Sequence, residues 1–336
     1  MSTLRVDRSQ VLAFRARASR LDRKLARGSL ADAASGGLQD SAPRAAVISL
    51  HARVEDVDPS CWEDPSLVQI WGPRAADYVV PRADVDAFTV GRLPRDPDQH
   101  ARLADIADDV HRVLDGRTLE SRDVSKALPE LGHLVRLSAI TGRVHIRWDA
   151  SKIWLIGVDA PEADAETARL DLARRFLRWF APVTMQRFAW WAGIEPADAA
   201  ATWKALRDEL VGVELDGETR DVLRSDEDEL TTATGVSGVR LIPHGDPLLK
   251  IDGELVVADP DRRLEVFPRS DRKPAFWPVS GGVLVDGEVV GSWARQQRRV
   301  TVHPWLPLDD QIRSAIEQEA LAIPIASRSK ASARWA

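Results

Sequence analysis

Between Gly142 and Gly157 the chain puts cations on alternate positions. Arg143, His145 and Arg147 fall on one side of a stretch whose other side is Val144, Ile146 and Trp148. Donors at period two, backed by apolar residues, suit a strand laid along phosphates. There, charge-assisted hydrogen bonds fix a protein on a duplex without reading its sequence. A solvated face over a small core gives the same pattern, and this stretch alone does not choose between them. Residue patterns for other chemistries are missing. The seven His show no paired metal spacing and there is no Cys-x-x-Cys, so no metal site is expected. Neither a Walker loop nor Gly-x-Gly-x-x-Gly is present, so no nucleotide cofactor is expected. The single Cys, Cys61, reads as a packing residue and fits a reducing cytoplasm.

The elements around those cations spell helix, break, helix, hairpin. Ser121 offers a hydroxyl to cap a first helix, with Val124, Ala127 and Leu128 on one face. Pro129 ends that helix and can open the next. Leu131, Leu134, Val135 and Ser138–Ala139 give the second helix a buried stripe, and Gly142 closes it. The hairpin follows, with residues 149–152 as its turn and 153–156 as the returning strand. This order is that of a winged helix, a module that docks on duplex DNA or on other proteins.

The order repeats. Residues 165–180 form an amphipathic helix with Leu170, Ala173, Phe176, Leu177 and Phe180 inward and Arg169, Arg174, Arg175 and Arg178 opposite. Thr184 caps a helix ending at Gly193. Pro196 opens another, striped by Trp203, Leu206 and Leu210. Val211, Val213 and Leu215 then alternate into an Asp216-Gly217 hairpin turn. A weaker third copy lies ahead of these: helices over 9–27, 43–53 and 65–71, then a strand at 78–80. The expected units are 1–100, 101–164 and 165–235.

Residues 236–336 differ. Short strands with turn signals at Asp252-Gly253, Gly281-Gly282 and Asp286-Gly287, then an amphipathic helix over 308–322, predict a small barrel-like β domain with a short basic tail, 327–336. The fold class is therefore α+β: tandem winged helices followed by a β-rich domain. At 336 residues the chain can hold several cores, and 44% hydrophobic with 29% charged residues is ordinary for a globular protein. No apolar run reaches the ~20 residues that span a bilayer, and the N-terminus has no apolar signal-peptide core. A net charge of −6 excludes a nonspecific DNA coater, which would be basic overall. The cations gather at residues 5–27 and at Arg295, Arg298 and Arg299, and the acids at 96–115 and 216–229. Such segregation permits a basic face with an acidic back.

Four segments, Gly37–Ala46 (GLQDSAPRAA), Leu172–Trp191 (LARRFLRWFAPVTMQRFAWW), Val239–Leu249 (VRLIPHGDPLL) and Gly282–Trp293 (GVLVDGEVVGSW), resemble, in order, the bacterial winged-helix DNA glycosylases of the interstrand-crosslink-repair type, the AlkZ/YcaQ-like family. The resemblance implies tandem winged helices with a β-rich domain, and excision of bulky N7-alkylated purines from double-stranded DNA without metal or organic cofactor. It also implies a catalytic Gln–apolar–Gln or Gln–apolar–Asp triplet before a Pro-Arg-Ala-Ala stretch. Here the triplet is Gln39–Asp40–Ser41. Gln39 matches, Asp40 takes the apolar position, and Ser41 stands where the second Gln or Asp belongs.

The chemistry defines what these residues must do. An N7-alkylguanine is cationic and leaves readily, so the enzyme has to stabilise an oxocarbenium-like sugar and hold a water on its open face. Gln39 can orient that water, or it is a loop residue bonded to backbone. Ser41 can hold a water but is shorter and uncharged. Asp40 either supplies a carboxylate or caps the helix starting near Pro43. Arg44, Arg74, Arg143, His145, Arg147, Arg298 and Arg299 are the expected DNA contacts. Asp246 matches a family Asp, with Gly245 in place of an expected aromatic, and otherwise caps a turn. The leading reading is a monofunctional DNA glycosylase working on duplex DNA in the cytoplasm, at the nucleoid. The alternatives are a non-catalytic relative that senses lesions or regulates transcription, and a protein-interaction scaffold.

Overall fold

The computed structural model describes residues 4–42, 44–262, 279–325 and 331–336. Pro43, and Arg328 and Lys330 of the expected tail, lie outside them. The fold is α+β and contains three three-stranded sheets and one of five strands among the described residues.

The chain opens with β1 (Leu4–Arg5) and α1 (Arg8–Ala18), where Asp7 and Gln10 form a reciprocal capping box. The helix expected to reach residue 27 stops at Ala18, and Arg20 turns left-handed at φ 59°. This arm does not complete the first unit. β1 pairs in parallel with a strand of the third, Leu4 opposite Val213. Val11 and Phe14 pack there with Leu215, Val222 and Leu230.

A short α2 (Leu30–Ala33) leads into β2 (Leu38–Gln39) and α3 (Ala45–His51). β3 (Leu67–Gly72) and β4 (Ala76–Pro81) complete a sheet of order β2-β4-β3. Residues 65–71 were expected to be helical. The alternation of Val68 and Ile70 with Gln69 and Trp71 has period two, and it wins once β4 is there to pair. Val68 and Ile70 join Tyr78 and Phe88, the latter from α4 (Val85–Phe88), in the main core.

α5 (Pro97–Leu114), β5 (Thr118–Glu120), α6 (Ser121–Ala127), a 3₁₀ stretch over Gly132–Thr141, β6 (Val144–Trp148) and β7 (Ile153–Gly157) form the second unit. Val144, Ile146 and Leu155 are buried against Val124, Val135 and Ala139, as the alternation requires. Ser121 is not the cap. It is the first helical residue, and its Oγ accepts from Arg136 Nε at 3.2 Å.

α7 (Ala165–Phe180), α8 (Met185–Ala192), α9 (Pro196–Leu206), β8 (Leu210–Leu215) and β9 (Glu218–Leu223) follow the sequence expectation closely. Asp164 and Thr184 cap the first two helices, and Asp216 and Gly217 make the turn with φ of 51° and 83°. Arg169 departs from its expected solvated face. It is buried and donates to the carbonyls of Gly91 (3.1 Å) and Leu93, clamping α7 to the preceding loop.

α10 (Glu227–Thr231) leads to the last sheet: β10 (Val239–Pro243), β11 (Val279–Val285), β12 (Glu288–Gln296), β13 (Arg299–Pro304) and β14 (Ser332–Trp335). It is an open five-stranded sheet in that order, not a closed barrel, because β10 and β14 remain its two edges. The expected tail supplies β14, parallel to β13. Gly281-Gly282 lies inside β11 rather than in a turn. Asp252, left-handed at φ 48°, precedes a 3₁₀ turn, and Asp286-Gly287 does form the β11–β12 hairpin. α11 (Asp310–Ala322), capped by Asp309, lays Ile316 and Ala320 against Trp293 and Val302.

Candidate active site and nucleic-acid interface

Gln39 is placed by strand periodicity. β2 is an edge strand, paired only with β4, Leu38 opposite Val79 and Gln39 opposite Tyr78. Successive side chains on a strand alternate faces. Leu38 points into the apolar core and so does Asp40, which is fully buried. Gln39 and Ser41 therefore turn the other way, Gln39 half-buried and Ser41 exposed. Gln39 Nε2 donates to Ser41 Oγ at 2.9 Å. That bond holds the amide so that its oxygen is left to accept from a water.

The same periodicity turns the middle position of the triplet inward, so an Asp there needs compensation. Asp40 Oδ1 accepts from the Ala46 N–H at 2.9 Å. Oδ2 accepts from Arg44 Nη1 at 3.1 Å and from Gln69 Nε2 at 3.4 Å. Burial outweighs these partners and pushes the Asp40 carboxyl up to about 7. Asp40 thus anchors the start of α3 and does not reach the open face. Asp77 lies beside it, its carbonyl accepting from Asp40 N at 2.8 Å. Its own carboxyl is raised to about 6 by burial, and its Oδ1 has no hydrogen-bond partner among the described residues.

Two further elements border Gln39. The 244–250 loop brings Gly245 against it, so that a Cβ on Gly245 would stand 3.4 Å from the Gln39 carbonyl oxygen. Asp246 fixes this loop. It is fully buried, caps Leu248 N at 3.0 Å, accepts from Ser49 Oγ at 2.8 Å, and pairs bidentately with buried Arg53 at 2.6 and 2.8 Å. On the other side, Gln69 bonds both the N–H and the carbonyl of Trp148, at 2.7 and 3.4 Å. The Gln39 sheet is thereby tied to the β6–β7 hairpin.

The expected DNA contacts divide into engaged and open groups. Arg44 is left-handed at φ 62°. It donates to Asp40 and to the Trp148 carbonyl at 3.1 Å, and lies 3.7 Å from the centre of the Trp62 ring. Its guanidinium is spent inside the fold. Arg143 pairs with Asp108 at 2.6 Å and Arg147 with Glu63 at 2.5 Å. His145 is half-buried, and burial lowers its pKa, which disfavours the cation. The outer face of the β6–β7 hairpin is thus largely neutralised. Arg74, Arg298 and Arg299 are exposed and pair with no carboxylate among the described residues. Arg298 and Arg299 stand at the β12–β13 turn, where Gln297 is left-handed at φ 55°.

A cavity of about 340 Å³ next to Trp62 is lined by Arg27, Asp56, Asp58, Cys61, Glu63 and Asp64. Its acids repel phosphate, so it is not the face that meets DNA. Cys61 at its floor is buried, and burial pushes its thiol up to about 12, consistent with packing rather than nucleophilic attack. No group of three His, Cys, Asp or Glu could hold a metal among the described residues, and no helix there is long and apolar enough to cross a membrane. Gln69 and Asp77 carry no local sign in the sequence. The pair Trp190–Trp191 reads there as core, which holds for Trp191 but not for Trp190, which is exposed.

Comparison with known proteins gives concordant results. The profile of a family described as "DNA glycosylase AlkZ-like" matches residues 33–323. An interstrand DNA cross-link repair glycosylase of Streptomyces sahachiroi is 28% identical over 172 residues, which is 50% of this chain and 44% of that protein. The matched stretch therefore spans less than half of that relative's length. The solved structure of the Streptomyces sahachiroi DNA glycosylase AlkZ superposes with a TM-score of 0.77 at 20% identity, covering 99% of this chain and all of that one. At that identity the likeness speaks for the fold.

Proposed function

Because this chain belongs to the AlkZ-like DNA glycosylase family, we propose that it hydrolyses the N-glycosidic bond of bulky N7-alkylated purines in double-stranded DNA, in the repair of crosslinks and alkylation damage. Its place of work would be the cytoplasm, at the nucleoid. The observation that carries this reading is the Gln39 amide. By the resemblance it takes the first position of the family's triplet; it lies on the side of edge strand β2 away from Leu38 and Asp40, braced by Ser41 at 2.9 Å.

The chemistry needs little from a general acid. Alkylation at N7 leaves the purine positive, so when the C1′–N9 bond breaks, its electron pair neutralises the departing base. C1′ then carries the positive charge, shared with the ring oxygen. The Gln39 Oε1 dipole faces that charge and accepts a hydrogen bond from a water, aiming the water's oxygen at C1′. The C1′–O bond forms and the surplus proton passes to solvent, leaving an abasic sugar and a free base. Ser41 fixes the amide. Asp40 is a positioning residue that holds Arg44 and the head of α3, and through them the turn after Gln39. Among the expected DNA contacts, Arg74, Arg298 and Arg299 pair with no carboxylate of the described residues and would meet phosphates.

One observation favours a second reading, a DNA-binding relative without catalysis. The position given to a second Gln or Asp in the family holds Ser41, and the neighbouring carboxylate is sealed inside. Incubation with a duplex carrying one N7-alkylguanine decides between them. Release of free base supports the glycosylase. Tight binding of the lesion without release supports the sensor.

A further inference from the structure

Trp190 is the one large aromatic side chain exposed among the described residues, at 46%, while Trp191 beside it is buried in the main core. It does not stand alone. Arg74 lays its guanidinium 3.9 Å from the centre of the indole ring. The backbone is shaped to bring the two together. α8 ends at Gly193, left-handed at φ 68°, where a Cβ would approach Arg74 N to 3.3 Å. The turn it abuts holds Arg74 and Ala75 both at positive φ, 57° and 53°. Consecutive non-glycine residues in that region are strained and persist where surrounding contacts demand them.

The pair borders the candidate site. Arg74 stands in the turn that leads into β4, and Tyr78 of β4 is the register partner of Gln39.

We propose that Trp190 and Arg74 form a second nucleotide-binding subsite at the rim of the Gln39 site. Its occupant is a nucleotide flanking the damaged one. The indole stacks on the base, and the Arg74 guanidinium holds the phosphate between that nucleotide and the lesion. This rests on the reading of the chain as a DNA glycosylase. Stacking platforms take any base, because each has a π-face, whereas cations beside them take phosphate. A flanking base is accessible only where stacking is interrupted, so the subsite favours a gapped or opened site over intact duplex.

The test is binding, not turnover. Affinity of the full chain is measured by fluorescence anisotropy for a duplex with one tetrahydrofuran abasic analogue and for the intact duplex of the same sequence. Trp190→Ala loses roughly tenfold of the preference for the abasic duplex, and Trp190→Phe keeps most of it. Arg74→Gln reduces the slope of log affinity against log salt by about 1. Unchanged thermal unfolding of the variants separates these effects from misfolding. If the wild type prefers the abasic duplex and Trp190→Ala keeps that preference, the subsite is overturned while the glycosylase reading stands. If the wild type binds neither duplex, both fall.

Discussion

Gln69 grips Trp148 at both ends of its peptide, accepting from its N–H at 2.7 Å and donating to its carbonyl at 3.4 Å. Gln69 lies on β3 and Trp148 closes β6. This pair, with Arg44 on the same carbonyl, joins the sheet that carries Gln39 to the hairpin first suspected of lying on DNA. Two units that look separate in sequence are one assembly at the site.

Gln69→Ala should therefore act on DNA engagement and on stability together. The Trp148 N–H would lose its acceptor in a half-buried place, at a cost of about 1–3 kcal/mol. Lower thermal stability with weaker excision is the expected outcome. Paired melting and excision assays check it.

Asp40 makes stability depend on pH with a defined sign. Its carboxyl ionises at about 7 in the folded chain, against an ordinary 3.8. Below the lower value it is protonated in both states. Between the two values the unfolded chain gives up the proton and the folded chain keeps it, so this contribution is lost as pH rises through the window. Asp77, raised to about 6, adds the same sign. Asp40→Asn should remove part of this decline between about pH 4 and 7. Urea unfolding of wild type and variant at several pH values reads the difference in slope.

The Arg53–Asp246 pair is fully buried, so removing one partner strands a charge. Asp246→Ala should destabilise by about 3–5 kcal/mol. Replacing both residues with apolar ones should cost less than Asp246→Ala alone. Denaturant midpoints of the single and double variants test this coupling.

Glu63 restrains Arg147 at 2.5 Å. Glu63→Gln should free that guanidinium and raise duplex affinity at low salt by roughly two- to fivefold. Replacing Arg298 and Arg299 together with Gln should lower affinity and flatten the salt dependence by about 2 in log–log slope. Titrations from 50 to 200 mM salt show both effects.

The third unit was the most legible in sequence. Asp164, Thr184, Pro196 and Asp216-Gly217 each carry a local signal that needs no partner to act. Residues 65–71 were misread because Val68 and Ile70 become strand only when β4 pairs with them. The N-terminal arm was misassigned for a related reason. Nothing local in Leu4–Ala18 records that its partner is Val213, some two hundred residues away. At the site, Gln39 was found by likeness to a family, and β2 then accounts for its outward direction. On the expected basic face, sequence shows the cations but not the carboxylates of Asp108 and Glu63 that meet Arg143 and Arg147. Gln69 gave no warning, since its role arises from packing between distant segments.

The central claim is that the Gln39 amide serves the chemical step. A duplex with a single N7-alkylguanine is incubated, under single-turnover conditions, with wild type, Gln39→Ala and Ser41→Ala, and the released base is quantified. The expected result is release by wild type, a loss of at least about 100-fold in Gln39→Ala at unchanged duplex affinity, and a smaller loss in Ser41→Ala. Equal release rates from wild type and Gln39→Ala would contradict the account.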